Sequence, residues 1–301
     1  MITPPFLHAG DTVGLVSPAY YASSSHWEPV IPLLQSWGLQ VESGNSIHSK
    51  YGVFAGNDEQ RLNDLVAMMT NPKIKAIFCV RGGYGCSRIL ANLERCSQTF
   101  EPKWLIGYSD ITALASFMVN KMNWHCIHGP MPTDLNGKQN PDGQKSWEYL
   151  RKMLFGQMPS YRMPAHKMNR HGKAIAPLVG GNLSVIYSLN ATPYQWKTNE
   201  RILFIEDVGE KLYHLDRMMT NLRTGGQLSN LKGLLVGAMN SMSDSEPSFG
   251  MNAYEIIASH VEDYNYPVAF GFPAGHDGVN FPLMLGANVK LNVTEQFIEI
   301  G

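Results

Sequence analysis

Ser109, Glu206 and His276 lie far apart in the chain, yet each comes directly after an apolar run that reads as a buried strand. A hydroxyl, a carboxylate and an imidazole delivered to strand ends are the parts of a nucleophilic hydrolase: nucleophile, orienting acid and general base. The serine sits in Lys103-Trp-Leu-Ile-Gly-Tyr-Ser-Asp-Ile-Thr112. Trp104 to Tyr108 reads as a short strand, and Asp110 to Met122 as a helix with Ile111, Leu114, Ala115, Met118 and Val119 on one face. A serine at such a sharp turn stands clear of the sheet edge. The amides after it point outward at the positive end of the helix dipole, where an oxyanion needs donors. Serine is also a favoured helix N-cap. This decamer alone leaves both readings open.

Glu206 closes the run Leu203-Phe-Ile-Glu206, and its place at the strand's end makes it the most rigidly held acid there. Asp207 and Glu210, just beyond, read as loop or helix-cap carboxylates. His276 lies in the glycine-flanked loop Phe272-Pro-Ala-Gly-His-Asp-Gly-Val-Asn-Phe-Pro282. Arg81-Gly-Gly-Tyr-Gly85 follows another apolar run, at the edge where parallel α/β sheets bind ligands. Its paired glycines let backbone amides approach a ligand closely, and Arg81 could hold a carboxylate or fix the loop. A phosphate cradle competes, although neither GxGxxG nor a Walker-type glycine loop is present. A plain tight turn is the third reading.

Metal chemistry is not expected. His125 and His128 share one short strand, where an i, i+3 pair does not face one way. His166 and His171 fall in a connecting segment, and no HExxH occurs.

The elements that must carry these residues alternate regularly. Strands are expected over 11–17, 39–42, 74–80, 104–108 and 124–128. Between them come helices over 25–37, opened by the capping box Ser25-His-Trp-Glu28, and over 58–70, 87–93 and 110–122. Alternation of this kind predicts a parallel sheet with helices on both faces. Residues 134–145 read as a polar loop, and 147–155 as a last helix. The second part opens with Leu178-Val-Gly-Gly-Asn-Leu183. It has strands over 202–205, 233–236 and 267–271, helices over 211–223 and 253–261, and a strand-rich tail over 288–300. The expected division is 1–160 for the first domain and 173–301 for the second, with 161–172 as linker.

Composition narrows the partners. Of 301 residues, 44% are hydrophobic and 16% charged, which describes a folded chain with a substantial core. A net charge of −1 offers no general attraction to nucleic acid or to an anionic membrane. Cys79, Cys86, Cys96 and Cys126 form no CxxC or zinc-type spacing, so reduced thiols and a cytoplasmic setting are expected. The N-terminus lacks a signal-peptide pattern. No apolar run approaches the roughly 20 residues of a membrane span.

Several separated motifs recur in one order: Ser17-Pro18, Phe54-Ala-Gly56 leading to Arg61, Arg81-Gly-Gly-Tyr-Gly85, Gly107-Tyr-Ser-Asp110, Gly180-Gly-Asn-Leu183, Ile205-Glu-Asp207, Asp216-Arg-Met218, and Gly275-His276 with Leu285-Gly286. In these the chain resembles the LD-carboxypeptidase family of serine peptidases, which includes muramoyltetrapeptide carboxypeptidases and microcin C immunity peptidases. The resemblance implies a flavodoxin-like N-terminal domain bearing the serine. It also implies a smaller β-rich C-terminal domain bearing the acid and the base. The implied triad is Ser109, Glu206 and His276, drawn from both domains, with an oxyanion hole from the backbone N–H groups of Gly83 and Asp110. Arg81, Gly82 and Tyr84 become substrate-binding positions, with Arg81 near the terminal carboxylate.

The implied reaction is hydrolysis of the amide between an L-centre and a terminal D-residue, releasing D-Ala from a cytoplasmic murein tetrapeptide during recycling, without metal or cofactor. A homodimer is the usual assembly. Two alternatives are a peptidase detoxifying a peptide–nucleotide, for which Trp147, Trp196 and Tyr213 are available as a stacking platform, and a catalytically silent peptide-binding protein.

Overall fold

A computed structural model describes residues 1–135 and 141–301. The chain divides into two compact units, one of Met1–Gln157 with Phe281–Met284, the other of Met158–Asn280 with Leu285–Gly301.

The first unit is built on β1 (Thr12–Val16), β2 (Gln40–Ser43), β3 (Ile74–Cys79), β4 (Trp104–Ile106) and β5 (Cys126–His128). They lie in the order β2-β1-β3-β4-β5, with the short strand Leu283–Leu285 at the far edge beside β5. The pairs β1·β2, β1·β3, β3·β4 and β4·β5 are all parallel. This is the flavodoxin-like order, whose direction of winding switches between β1 and β3, so loops leaving those two strands flank a natural crevice. Burial explains the strand runs: in β3, Ile74, Ala76, Ile77, Phe78 and Cys79 are all fully buried, as in a strand covered on both faces. Trp104 in β4 is fully buried too, and its indole Nε1 donates to Pro5 O at 2.9 Å, so the ring's one polar atom is satisfied.

The helices of this unit are α1 (Ser24–Trp27), α2 (Val30–Ser36), α3 (Asp58–Thr70), α4 (Cys86–Cys96), α5 (Thr112–Phe117) and α6 (Pro141–Leu154). The helix expected over 25–37 is two short ones. Pro29 cannot donate a backbone hydrogen bond, so it divides them. Ser25 accordingly lies inside α1, whose N-cap is Ser23 and has no side-chain cap bond. By contrast α3 has the expected bounds and a full capping box between Asn57 and Gln60. Of the loop expected over 134–145, residues 136–140 lie outside the described residues, and α6 begins at Pro141 rather than 147. Proline suits a first helical turn, because its missing N–H would be unpaired there anyway.

The second unit holds a seven-stranded mixed sheet. Its strands are β6 (Tyr161–Pro164), β7 (Gly172–Asn182), β8 (Ile202–Val208), β9 (Gly233–Asn240), β10 (Val268–Phe270), β12 (Asn288–Val293) and β13 (Phe297–Ile300), with Leu283–Leu285 counted as β11. The order is β10-β9-β8-β7-β12-β13-β6. Strands β7 to β10 pair in parallel, whereas β12, β13 and β6 add an antiparallel wing. Its helices are α7 (Leu183–Ser188), α8 (Leu212–Thr224) and α9 (Ala253–Val261).

Two features differ from expectation. The stretch 161–172, expected as a linker, carries β6, which pairs with β13, while Arg170 bridges to Val268. A strand whose partner lies far along the chain has no local signature. β7 also begins well before the Leu178–Leu183 motif, because its first half is held by β12.

Candidate active site

Ser109 follows β4 and Gly107 and adopts φ +61°, a left-handed conformation that costs a residue with a side chain about 1–2 kcal/mol. The cap reading does not hold. Ser109 lies within the first 3₁₀ turn, Ser109–Ile111, whose N-cap is Tyr108, and α5 follows with Ile111 at its cap; neither makes a side-chain cap bond. The helix expected over 110–122 is in fact this 3₁₀ turn, then α5, then a wider π-type turn over Met118–Met122. Strain of this kind at a strand-to-helix turn is what presents a hydroxyl to a ligand rather than to the backbone.

The glycine loop after β3 packs directly on this serine. A Cβ at Gly82 would stand 2.7 Å from Ser109 Cβ, 2.9 Å from its Oγ and 3.3 Å from the Asp110 amide nitrogen. Gly83, at φ +106°, would place a Cβ 2.4 Å from the Tyr20 ring. Both positions therefore need glycine because other groups already fill the space. Tyr20 N–H donates to Gly82 O at 3.2 Å and fixes the loop from the β1 side. Arg81 performs the loop-fixing role: its Nη1 donates to Tyr21 O at 2.9 Å, and its guanidinium lies over the Tyr20 ring at 5.8 Å. Tyr84 is exposed, with its ring 6.0 Å from that of Phe54. Asp110 is buried, and burial raises its carboxyl above the ordinary range.

In the second unit Glu206 and His276 meet. His276 Nδ1 lies 2.7 Å from Glu206 Oε2, and the carboxylate is fully buried. Its other oxygen, Oε1, has no hydrogen-bond partner among the described residues. The pair is boxed in by backbone. A Cβ at Gly275 would stand 2.5 Å from Glu206 Oε2, and one at Gly237 would stand 3.2 Å from Glu206 Cβ and 2.5 Å from Ala274 O. The β8–β9 register shifts between Ile205 and Asp207, beside this point.

Two asparagines hold the histidine loop. Asn240 Nδ2 donates to His276 O at 3.0 Å, and Asn280 Oδ1 accepts from Gly275 N–H at 3.0 Å. Sequence reading did not single these out. Asn280 shares the histidine loop, but Asn240 ends a different strand and carries no local signal.

Asp207 behaves as a helix-end carboxylate. It accepts from Asn182 Nδ2 at 3.0 Å and from Ser184 N–H at 2.9 Å, while Asn182 Oδ1 caps α7 through Val185 N–H. Burial first, and then the neighbouring Glu206 charge, lift its carboxyl to about 7. Glu210 pairs with His214 at 2.5 Å. Gly180, at φ +120°, would put a Cβ 2.0 Å from Phe204 O, which accounts for the Gly180-Gly-Asn-Leu183 motif as a close strand approach. Among the described residues no three His, Cys, Asp or Glu side chains group as metal ligands.

Of the expected site residues, Ser109, Asp110, Gly82, Gly83, Arg81 and Tyr84 thus gather in the first unit, and Glu206 and His276 in the second. Trp147 and Trp196, considered as stacking surfaces, are both buried, whereas Tyr213 is exposed.

The first unit thus carries a flavodoxin-like sheet with a strained serine, and the second a mixed sheet with a half-buried histidine on a fully buried glutamate. Residues 13–129 match the LD-carboxypeptidase N-terminal domain and residues 176–291 the LD-carboxypeptidase C-terminal domain, so the chain belongs to the LD-carboxypeptidase family. It is 32% identical over 302 residues to the probable murein peptide carboxypeptidase of Bacillus subtilis (strain 168), covering 99% of this chain and 94% of that one. Among solved structures it is similar to muramoyltetrapeptide carboxypeptidase from Oxalobacter formigenes, with a TM-score of 0.82, 24% identity and coverage of 96% and 97%. It is also similar in fold to the microcin C7 self-immunity protein MccF in complex with aspartyl sulfamoyl adenosine, with a TM-score of 0.88, 21% identity and coverage of 100% and 98%.

Proposed function

We propose that this chain is an LD-carboxypeptidase that hydrolyses the amide between an L-centre and a C-terminal D-alanine of murein tetrapeptides, with Ser109 as nucleophile, His276 as general base and Glu206 as orienting acid. The observation that carries the reading is the His276–Glu206 hydrogen bond on a fully buried carboxylate. With Nδ1–H donated to Glu206, the imidazole is held in the tautomer whose Nε2 takes the proton from the Ser109 hydroxyl. The serine oxygen attacks the carbonyl, and the Asp110 and Gly83 amides receive the oxyanion. His276 then gives its proton to the leaving D-alanine nitrogen. Water repeats the sequence on the acyl-enzyme and regenerates Ser109. Arg81, Gly82 and Tyr84 flank the nucleophile's loop and are assigned to substrate, Arg81 through its remaining N–H groups to the terminal carboxylate.

The muropeptide reading is supported over a peptide–nucleotide substrate by the 32% identity to a probable murein peptide carboxypeptidase; of the three rings considered for stacking on a base, Trp147 and Trp196 are buried and Tyr213 is exposed. A cytoplasmic site of action in cell-wall recycling fits the free thiols of Cys79, Cys86, Cys96 and Cys126. A homodimer completes the reading and is measurable by light scattering.

The test is D-alanine release from a murein tetrapeptide by the full chain. Wild type should release it, Ser109→Ala and His276→Ala should not, and the L-alanine diastereomer should be a poor substrate. Unimpaired release by Ser109→Ala would remove the serine mechanism. Turnover confined to an aminoacyl-sulfamoyl nucleoside run in parallel would replace muropeptide with nucleotide conjugate.

A further inference from the structure

The peptide group joining Gly85 to Cys86 is gripped at both of its polar atoms. Its carbonyl oxygen accepts from Arg61 Nη1 at 3.0 Å, and its N–H donates to Asp110 Oδ2 at 2.8 Å. Arg61 reaches it from α3 and is 0% exposed. The same Nη1 donates to Pro18 O in the loop after β1, and Nη2 pairs with Asp58. Asp110 is the residue after Ser109 and is 3% exposed. A Cβ at Gly85, where φ is +137°, would stand 2.8 Å from Arg61 Nη1, so the loop lies directly against the guanidinium.

Helix α3 does not need an arginine at this inward position. Any apolar helix former would pack there without the several kcal/mol that burying a charge costs. Arg61 also ties together the loops leaving β1 and β3, the two sides of the switch point where an α/β sheet binds its ligand. The two acceptors of its Nη1 are backbone carbonyls, so what that nitrogen fixes is the path of the main chain, while Nη2 is held by the Asp58 carboxylate. The path it fixes ends at Gly82 and Gly83, beside Ser109.

We infer that Arg61 and Asp110 are positioning residues for the oxyanion-binding amides: by clamping the Gly85–Cys86 peptide from both ends they set the Gly82–Gly83 backbone in register with Ser109. The inference rests on the assignment of Ser109 as nucleophile. Neither side chain is given contact with substrate. Asp110 couples the nucleophile's own turn to the loop, and Arg61 couples the loop to the rest of the sheet edge. A shift of about 1 Å in such donors is enough to lower turnover by roughly 100-fold.

The experiment uses the full chain with Arg61→Met, Asp110→Ala and Asp110→Asn. On murein tetrapeptide, Arg61→Met and Asp110→Ala should lose about 100-fold in kcat with KM within about threefold of wild type. Asp110→Asn, whose amide oxygen still accepts the Cys86 N–H, should keep most of the rate. A second readout separates positioning from general loosening. A peptide boronic acid, which forms a tetrahedral adduct with Ser109, should lose affinity in step with kcat. The unreacted tetrapeptide, measured in a Ser109→Ala background, should bind as before. Variants that fold and keep wild-type kcat and boronate affinity overturn the inference, as does equal weakening of boronate and tetrapeptide. If Arg61→Met does not fold, the two Asp110 variants decide alone. Absence of any Ser109-dependent turnover in wild type is a separate result, and it removes the functional reading together with this inference.

Discussion

Gly275 is pressed against Glu206 so closely that a Cβ there would stand 2.5 Å from Oε2, 2.9 Å from Cβ and 3.0 Å from Cγ of the acid. The residue before the histidine is thus one wall of the pocket that holds the histidine's partner. Gly275→Ala would displace the carboxylate and also strain a backbone at φ +112°. We expect kcat/KM to fall by about 100-fold and stability by about 2 kcal/mol. Kinetics and urea unfolding check the two effects, and a variant with wild-type kinetics would mean that the carboxylate's position is not set by this wall.

Glu206→Gln keeps the shape of the buried side chain and removes its charge. The amide can donate to His276 Nδ1, which would put the ring proton on Nε2, the wrong nitrogen for taking the serine's proton. The expected result is a loss of roughly 10³–10⁴ in kcat with a wild-type circular dichroism spectrum. A loss under about tenfold would argue against Glu206 as the orienting acid.

Ser109 at φ +61° makes a different kind of prediction. Ser109→Gly and Ser109→Ala should both be inactive, but glycine removes the left-handed strain and alanine keeps it. Allowing for the chain entropy of glycine, Ser109→Gly should be the more stable by about 1 kcal/mol. Equal urea midpoints, or the reverse order, would show that the turn is not strained by its side chain.

Asp207 gives stability a pH dependence of definite sign. Its folded carboxyl titrates at about 7 against an ordinary value of 3.8, so over that interval the folded chain holds a proton that the unfolded chain has lost. This contribution is present in full below the ordinary value and is lost as pH rises to about 7, at up to about 1.4 kcal/mol per pH unit. Urea unfolding across pH 4–8 should show this downward component relative to Asp207→Asn, in which it is missing. Parallel profiles for the two proteins would place the titration elsewhere.

Much of this protein is legible along the chain. The run Ile74–Cys79 reads as a doubly covered strand because every residue but Lys75 is buried, and Asp58–Thr70 reads as a helix because Asn57 and Gln60 cap it locally. Ser109 and His276 stand out because they lie in the segments that follow β4 and β10, whereas Glu206, expected just after a strand over 202–205, lies inside β8, which runs on to Val208 because its backbone stays paired with β7 and β9. The helix break at Pro29 is not legible in this way, because a capping pattern and a proline compete there within a few residues.

What the tertiary structure alone decided are the relationships between distant residues. β6 exists because its backbone finds β13, and a pairing across so much chain has no local periodicity to announce it. Whether Ser109 caps a helix or stands strained beside Gly82 is a matter of dihedral angles, which residue type does not specify. That Arg61 and Asp110 hold one peptide from opposite ends, and that Asn240 and Asn280 hold the histidine loop, depends on which loops the sheet order brings together. Sequence determines the chemical parts and the elements that carry them; three-dimensional packing selects which parts touch, because burial energy is settled over the whole chain at once.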